Sequence, residues 1–384
     1  MGFFYQIIVP MFRFLLSVCF SFVMLSAFAQ LAPEPTAQPT NLRKDSYDKA
    51  WVFDIKFDPA ASVGGYLVLR STEPIVATPI DGVAYGKGEG LGNAKVFSFG
   101  ASSVVRTKEV GANTDYYFAI YAYNITGTTE TSINYLQANP LTGTIRSAPN
   151  NYGGYYSGVD FSSLDALIDL RNLINPHTII EYSDFAATIV REFHERDTVD
   201  NKHVINCQYS NEYVVYSGNF GLGTYGYSRE HRMAFSWINF AGLSRADFEE
   251  EPEGCDVHAL ELVNNNEVNQ RRSNYPFEDV VTSVYTYYDF TQGKNAQNKD
   301  VAEVWGARKG DVARAIFYMM VCYNGKYGEN WGLDYLLSDA DYQDLQALLD
   351  MHYNDPPDAF EQARHEYVYS KQGNRNPFID FPNL

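Results

Sequence analysis

Side chains that could carry out chemistry are concentrated in the second half of this 384-residue chain. Residues 229–231 read Arg-Glu-His, and Asn269 and Arg272 follow three positions apart. Hydrolysis of a phosphodiester needs oxygen ligands for a hard divalent cation, a base that is neutral near pH 7, and guanidiniums that bind phosphate oxygens. Glu230 and Asn269 are the candidate cation ligands, and His231 is the candidate base.

The elements that carry these residues constrain whether they can meet. Neighbouring side chains on a strand point to opposite faces, so Glu230 and His231 can share a site only where a strand ends or bends. Asn269 and Arg272 share a face if their segment is helical. Taken alone, residues 229–232 also fit a solvated charged turn, and residues 268–274 also fit a frayed polar helix end.

Three further polar segments accompany them. Alternation around Asp256 and His258 predicts a strand that places both side chains on one face. Residues 309–314 open an apolar helical pattern in which Asp311 is a plausible N-cap, with substrate contact as the alternative role. Residues 372–380 read Gln-Gly-Asn-Arg-Asn-Pro-Phe-Ile-Asp, which demands a specific turn. Arg375 serves either that turn or a phosphate.

The chain predicts two domains. Short aromatic and β-branched runs at 52–57, 65–70 and 116–124 indicate an all-β sandwich over residues 33–148. Residues 149–158 are rich in Gly, Asn and Pro and are typical of a linker. Helical spacing from Leu164 to Ile174, ended by Pro176, indicates a mixed α+β domain over residues 159–384.

Residues 1–29 are typical of a signal peptide, because an apolar run follows Arg13 and the stretch ends in Ala-Phe-Ala. An uncleaved membrane anchor is the alternative. Cys207, Cys255 and Cys322 remain after cleavage, so at most one disulfide can form. The Cys-x-x-His spacing of residues 255–258 is a weak zinc signal.

The formal net charge of −18 opposes binding of a polyanion. Phosphate binding is driven by Lys and Arg that neutralise the backbone. A local basic site with a divalent cation can still dock a nucleic acid, so the charge predicts weak, salt-sensitive substrate binding.

Five segments, taken in order, resemble the endonuclease I family over residues 160–384. They are Arg-Glu-His at 229–231, Asp-x-His-x-Leu at 256–260, Val-Asn-x-x-Arg-Ser-Asn at 268–274, Lys-Gly-Asp-x-Ala-Arg at 309–314 and the closing segment 372–380. The sandwich resembles a fibronectin III domain through its entry at 39–42 and its Tyr-rich run at 116–124. The fold expected is therefore a fibronectin III-like sandwich followed by an α+β domain with a ββα-metal (His-Me finger) nuclease core.

The endonuclease I resemblance implies a role for each candidate. His231 is the general base, with Glu230 and Asn269 holding one divalent cation, Mg²⁺ before Mn²⁺ or Ca²⁺. The phosphate contacts are assigned to three arginines, and two further residues support the geometry of the site; these are Arg229, Arg272, Arg375, Asp256 and His258. The implied activity is sequence-nonspecific cleavage of DNA, and also of RNA, that leaves 5′-phosphate ends.

The sequence departs from the family pattern at three places. Residues 232–235 read Arg-Met-Ala-Phe where an apolar residue and a proline are usual, Ala259 replaces a histidine, and His365 stands where an asparagine is usual. None of these removes a proposed ligand or the base. The alternatives are a surface protein that binds nucleic acid without cutting it, and an adhesion protein whose sandwich carries the function through an unknown surface or matrix ligand.

Overall fold

The computed structural model describes residues 30–108, 110–150, 152–197, 202–237, 244–325 and 343–384. The predicted signal peptide, residues 1–29, lies outside the described residues. No described helix combines the length and the apolar character needed to cross a bilayer.

The amino-terminal domain is an antiparallel β-sandwich. One sheet is built from Thr40–Lys49 (β1), Val52–Asp58 (β2) and Val104–Lys108 (β6), in the order β1-β2-β6. The other is built from Gly65–Ser71 (β3), Gly90–Leu91 (β4), Ala94–Gly100 (β5), Asp115–Asn124 (β7), Asn134–Tyr135 (β8) and Leu141–Arg146 (β9). Its order is β4-β5-β3-β7-β8, and β9 also pairs with β7. The all-β sandwich and its three predicted strand runs are confirmed.

Period-two alternation builds the sandwich core. Tyr116, Phe118 and Ile120 of β7 face the opposite sheet and pack with Phe53 and Ile55 of β2. The intervening residues of β7 face outward, where a second apolar cluster forms beneath the loop that follows β3. Both faces of this strand are therefore buried, which explains why its sequence is apolar almost throughout.

The carboxy-terminal domain mixes short sheets with helices. Its strands are Arg196–Asp197 (β10), His203–Asn206 (β11), Tyr213–Tyr216 (β12), Tyr227–His231 (β13), Leu260–Asn264 (β14), Thr282–Tyr287 (β15), Phe290–Lys294 (β16) and Asp300–Glu303 (β17). They form three antiparallel sheets, β10-β11-β12, β13-β14 and β15-β16-β17. The helices are Ala166–Ile174 (α1), Arg245–Phe248 (α2), Pro252–Cys255 (α3), Gln270–Arg272 (α4), Lys309–Cys322 (α5), Leu345–Asn354 (α6), Ala359–Gln372 (α7) and Pro377–Asp380 (α8). Ala186–His194 and Asn265–Asn269 are π-helical.

Helix α5 is the centre of this domain, because every residue from 310 to 322 is buried. The helix is confirmed, but the prediction that Asp311 is its N-cap is wrong. Asp311 lies inside the first turn, where its carboxylate is 3.4 Å from Arg314 and 3.7 Å from Arg308. Asp355 accepts the Gly310 amide at 2.9 Å, so a distant segment satisfies the start of the helix.

Helix α1 is also confirmed, although its apolar residues are not all in the core. Leu170 and Ile174 are fully buried, whereas Leu164, Leu167 and Ile168 are exposed. The helix begins only at Ala166, so the spacing from Leu164 extends beyond its amino-terminal end.

The two domains are joined by direct packing. Trp51, in the turn between β1 and β2, lies edge-on to Tyr367 with ring centroids 4.9 Å apart, and 6.5 Å from Phe193. Lys108 Nζ donates to the carbonyl oxygen of Glu195 at 3.0 Å. The sandwich is thus in contact with the core of its neighbour, while the boundaries 33–148, 149–158 and 159–384 stay predictions.

Candidate active site

Two strands and a helix position the predicted site residues. β13 pairs with β14 so that Glu230 lies opposite Glu261 and His231 opposite Leu260. Asn264, the last residue of β14, caps the helical segment that continues into α4: its Oδ1 accepts the amides of Asn266 and Glu267 at 3.1 Å each. The result is a ββα arrangement whose strand residues and helix residues face each other.

One face of β13 meets this helix. Asn269 Nδ2 donates to Ser228 Oγ at 2.7 Å and to the Arg229 carbonyl at 3.3 Å. One turn later, Arg272 Nη1 donates to Glu230 Oε1 at 2.8 Å. The structure therefore brings Glu230, Asn269 and Arg272 together on one side of the two-stranded sheet β13-β14 (residues 227–231 and 260–264), which we call the ribbon.

Glu230 and Asn269 present oxygen atoms. Glu230 is 5% exposed, and burial raises the pKa of its carboxyl group to about 7, although Arg272 acts in the opposite direction. The amide nitrogen of Asn269 is used in donating, and no described residue donates to its Oδ1. The two candidate ligands are thus the buried carboxyl group of Glu230, whose negative charge Arg272 only partly offsets, and the side-chain oxygen of Asn269.

His231 lies on the other face of β13, at the residue where the strand ends. Its ring stacks on Tyr182, with centroids 5.5 Å apart and planes 11° apart, and contacts Phe248 at 5.1 Å. Burial lowers the pKa of His231 to about 4, and nearby arginines add to this effect. The imidazole is therefore neutral at physiological pH.

The carbonyl oxygen of Gly254 fixes the tautomer of His231. Nε2 lies 2.9 Å from this oxygen, and because a carbonyl only accepts, Nε2 carries the proton and Nδ1 is left with a lone pair. Only glycine fits at position 254, since a Cβ would lie 1.9 Å from the Phe248 carbonyl oxygen. The close approach of these two segments places the carbonyl against the histidine.

The three arginines predicted to contact phosphate lie in different surroundings. Arg229 is half-buried, with its guanidinium carbon 3.7 Å from the Tyr182 ring centroid. Arg272 is 1% exposed, and besides Glu230 it donates to backbone carbonyls at the end of β13. Arg375 is fully buried in the closing turn, where it donates to Asp380 at 2.7 Å and to Glu366 at 2.5 Å. The structure brings the first two to the ribbon but not Arg375.

Asp256 and His258 lie in a buried network behind the site. Asp256 accepts hydrogen bonds from Tyr318 at 2.6 Å and from Tyr323 at 2.7 Å, and His258 Nε2 lies 3.3 Å from the Asn374 carbonyl oxygen. The prediction of a strand here is wrong, because these residues form a turn and β14 starts at Leu260. Asp256 Oδ1 accepts the His258 amide at 2.9 Å, which stabilises the turn.

The Cys-x-x-His spacing does not form a metal site among the described residues. Cys255 Sγ donates to the Glu249 carbonyl at 3.1 Å, away from the partner of His258. Cys207, Cys255 and Cys322 are buried and free. The described ranges also contain no cluster of three or more His, Cys, Asp or Glu side chains suited to a metal ion.

Two residues near the site were missed by the sequence analysis. Tyr182 lies far upstream of β13 in a short turn, Tyr182–Phe185, and no sequence signal singles it out. Arg245 is exposed, interacts electrostatically with the Tyr182 side chain, and lowers the pKa of both Glu230 and His231. The capping box formed by Ser244 and Asp247 could have located the helix start at Arg245.

Known proteins resemble the two domains separately. Human fibronectin type III domain containing protein 3 has a fibronectin type III domain that matches 33% of this chain and 96% of its own, at 16% identity and a TM-score of 0.21. A second human fibronectin type III domain matches 30% of this chain and 75% of its own, at 11% identity and a TM-score of 0.20.

Two bacterial proteins are similar in sequence to this chain. Extracellular ribonucleases of Bacillus subtilis and Bacillus amyloliquefaciens are each 32% identical over 241 residues, which cover 59% of this chain and 75% of theirs. The endonuclease I family model matches residues 163–383, a range that holds the ribbon, the helix and the closing turn. The chain therefore belongs to the endonuclease I family, and it is a nuclease behind a β-sandwich.

Proposed function

We propose that this protein is a secreted, metal-dependent endonuclease that hydrolyses phosphodiester bonds of DNA and RNA with little regard to sequence and leaves 5′-phosphate ends. The observation that carries the proposal is the neutral His231, held by the Gly254 carbonyl at the end of the strand that also carries Glu230. Secretion is supported by the apolar leader in residues 1–29 and by the extracellular relatives.

The oxygen pair fits a hard divalent cation. Mg²⁺ is commonly held by one or two protein oxygens together with water and substrate phosphate, which the Glu230 carboxylate and the Asn269 side-chain oxygen would supply. The raised pKa of Glu230 supports this fit, because a nearby cation would stabilise the ionised carboxylate. When bound, the ion would stabilise negative charge on the phosphate oxygens and on the departing 3′ oxygen.

The protein side chains would supply the remaining chemistry. His231 Nδ1, with its lone pair, would take a proton from the attacking water while Nε2 stays bonded to Gly254. Arg229 and the exposed Arg245 would contact phosphate oxygens. Arg272 would act through Glu230 by holding its carboxylate on the helix side of the ribbon.

The test compares purified mature protein with His231→Ala on plasmid DNA and on RNA, each with Mg²⁺ and with EDTA. We expect cleavage that requires Mg²⁺ and falls about 10²- to 10⁴-fold in His231→Ala. His203→Ala is the matched control. This histidine lies on β11, outside the ribbon, and pairs with Glu195. Ligation of the products would detect the 5′-phosphates.

Binding of either nucleic acid without cleavage, across several divalent ions, would overturn the proposal. It would support instead a surface protein that binds nucleic acid. Cleavage of only one polymer would assign the substrate while leaving the reaction class intact.

A further inference from the structure

One aromatic ring contacts three groups of the proposed site. The Tyr182 ring stacks on His231 at 5.5 Å, and the Arg229 guanidinium carbon lies 3.7 Å from its centroid. The Tyr182 hydroxyl interacts electrostatically with Arg245, and the Tyr182 carbonyl oxygen accepts a hydrogen bond from Arg229. The base and two cations therefore share a single neighbour.

Tyr182 is itself held in place. Its backbone amide interacts with the thiol of Cys255, which follows the glycine whose carbonyl binds His231. Burial raises the pKa of the Tyr182 hydroxyl to about 12, so the group is a neutral phenol at physiological pH. The ring and the Gly254 carbonyl thus belong to two segments that interact with each other.

The stacking supplies a constraint that the Gly254 bond lacks. A single hydrogen bond at Nε2 fixes the position of that atom but allows the imidazole plane to tilt about it. The parallel Tyr182 ring, at 11°, defines this plane and therefore the direction of the Nδ1 lone pair. General-base catalysis is sensitive to this direction, since the lone pair must point at the water proton.

The two cations gain a shared support. Arg229 and Arg245 carry like charges and repel each other. The π face of Tyr182 attracts the first guanidinium, and its hydroxyl interacts electrostatically with the second. The ring therefore keeps both within reach of one phosphate group.

We propose that Tyr182 is a positioning residue that sets the imidazole plane of His231 and holds Arg229 and Arg245 beside it. The inference rests on the proposed nuclease function and deepens it. It separates two tasks: the ring acts on the rate of the chemical step through His231, and the hydroxyl acts on substrate binding through Arg245.

The test measures kcat and KM on a short defined oligonucleotide for Tyr182→Leu and Tyr182→Phe in the full chain. Because small misplacements of a reacting group cost up to about 10²-fold, we expect Tyr182→Leu to lower kcat about 10- to 100-fold. Tyr182→Phe keeps the ring, so kcat should stay within about twofold while KM rises about threefold on loss of the interaction between the hydroxyl and Arg245. Tyr225→Leu is the matched control, since Tyr225 stacks on Phe220 with the same 5.5 Å and 11°.

A double variant tests whether the effect passes through His231. In a His231→Ala background, Tyr182→Leu should lower the residual kcat by less than about twofold. An undiminished loss in that background, an unchanged kcat in Tyr182→Leu, or a failure of Phe to restore kcat would overturn the inference. Wild-type KM in Tyr182→Phe, whose fold is checked by thermal unfolding, would overturn the assignment of the hydroxyl. An inactive wild type would instead be a failure of the proposed function.

Discussion

Two buried arginines, Arg272 and Arg375, come from two polar motifs and differ in the number and the pKa of the carboxyl groups that they pair with. At the ribbon, Arg272 faces the single carboxylate of Glu230, whose pKa is still raised to about 7 by burial. In the closing turn, Arg375 faces two carboxylates, Asp380 and Glu366. Although burial acts to raise it, His365 and Arg375 hold the pKa of Asp380 well below its ordinary value.

The difference shows that a buried arginine can either leave a carboxylate available to bind a further cation or form a structural ion-pair network. At the ribbon a carboxylate remains that a further cation would stabilise, which suits metal binding. In the turn the charges compensate each other, and Tyr156 donates to Asp380 at 2.7 Å as an additional bond. The closing turn therefore anchors the segment that leads into the catalytic domain.

The largest expected effect comes from removing each arginine in turn. Arg375→Ala removes the guanidinium that two buried carboxylates share, so we expect the free energy of unfolding to fall by about 3–5 kcal/mol. Arg272→Ala should cost less, about 1–3 kcal/mol, because Glu230 can take up a proton near neutral pH. Urea unfolding monitored by circular dichroism measures both.

Catalysis should separate the two variants in the opposite sense. Folded Arg375→Ala should keep the wild-type Mg²⁺ requirement, whereas Arg272→Ala should need more Mg²⁺ because the pKa of Glu230 rises without its partner. A higher Mg²⁺ requirement in Arg375→Ala would break the comparison and return Arg375 to the active site.

A smaller effect concerns two buried, neutral histidines: His231 at the end of β13, and His258, whose ring lies against the closing turn. Burial lowers the pKa of His258 to about 3 and that of His231 to about 4, against 6.5 in an unfolded chain. Below pH 6.5 the unfolded state takes up protons that the folded state does not, so stability falls as the pH falls. From pH 7 to pH 5 each histidine should cost about 2 kcal/mol.

Urea unfolding at these two pH values, on wild type, His258→Gln and His231→Gln, measures this cost. Each variant should lose about 2 kcal/mol of the pH dependence. If His258→Gln keeps the wild-type dependence of the free energy of unfolding on pH, His258 is not held neutral in the folded protein.

The smallest effect is on metal affinity. With the pKa of Glu230 at about 7, protons would compete with Mg²⁺ at the proposed site below that pH. The half-saturating Mg²⁺ concentration should therefore rise about tenfold per pH unit below 7 and stay nearly constant above it. Nuclease assays at pH 8, 7 and 6 measure it, and an identical requirement at pH 8 and 6 would contradict a buried ligand at this position.

The sequence predicted the framework better than the connections within it. Alternating aromatic runs define the strands around Phe53 and Phe118, since period-two burial is a local property. The spacing of Asn269 and Arg272 likewise predicted their shared face. In contrast, the carboxylates that surround Arg375 come from α7 and α8, and no local pattern states which way a guanidinium folds back.

The same limit applies to the histidine. Tyr182 and Gly254 touch His231 from distant segments, and their contacts depend on how the segments pack. Asp256 alternates like a strand residue, yet two tyrosines and a local turn determine its place.

The packing of Trp51 against the second domain restricts how the sandwich can move relative to the ribbon. A module on a flexible linker samples many distances, and its benefit is an averaged local concentration of substrate. With Trp51 inserted against Tyr367 and Phe193, the sandwich presents its surface at one offset from the ribbon. A polymer or matrix bound to that surface would therefore lie at a fixed distance from the proposed active site.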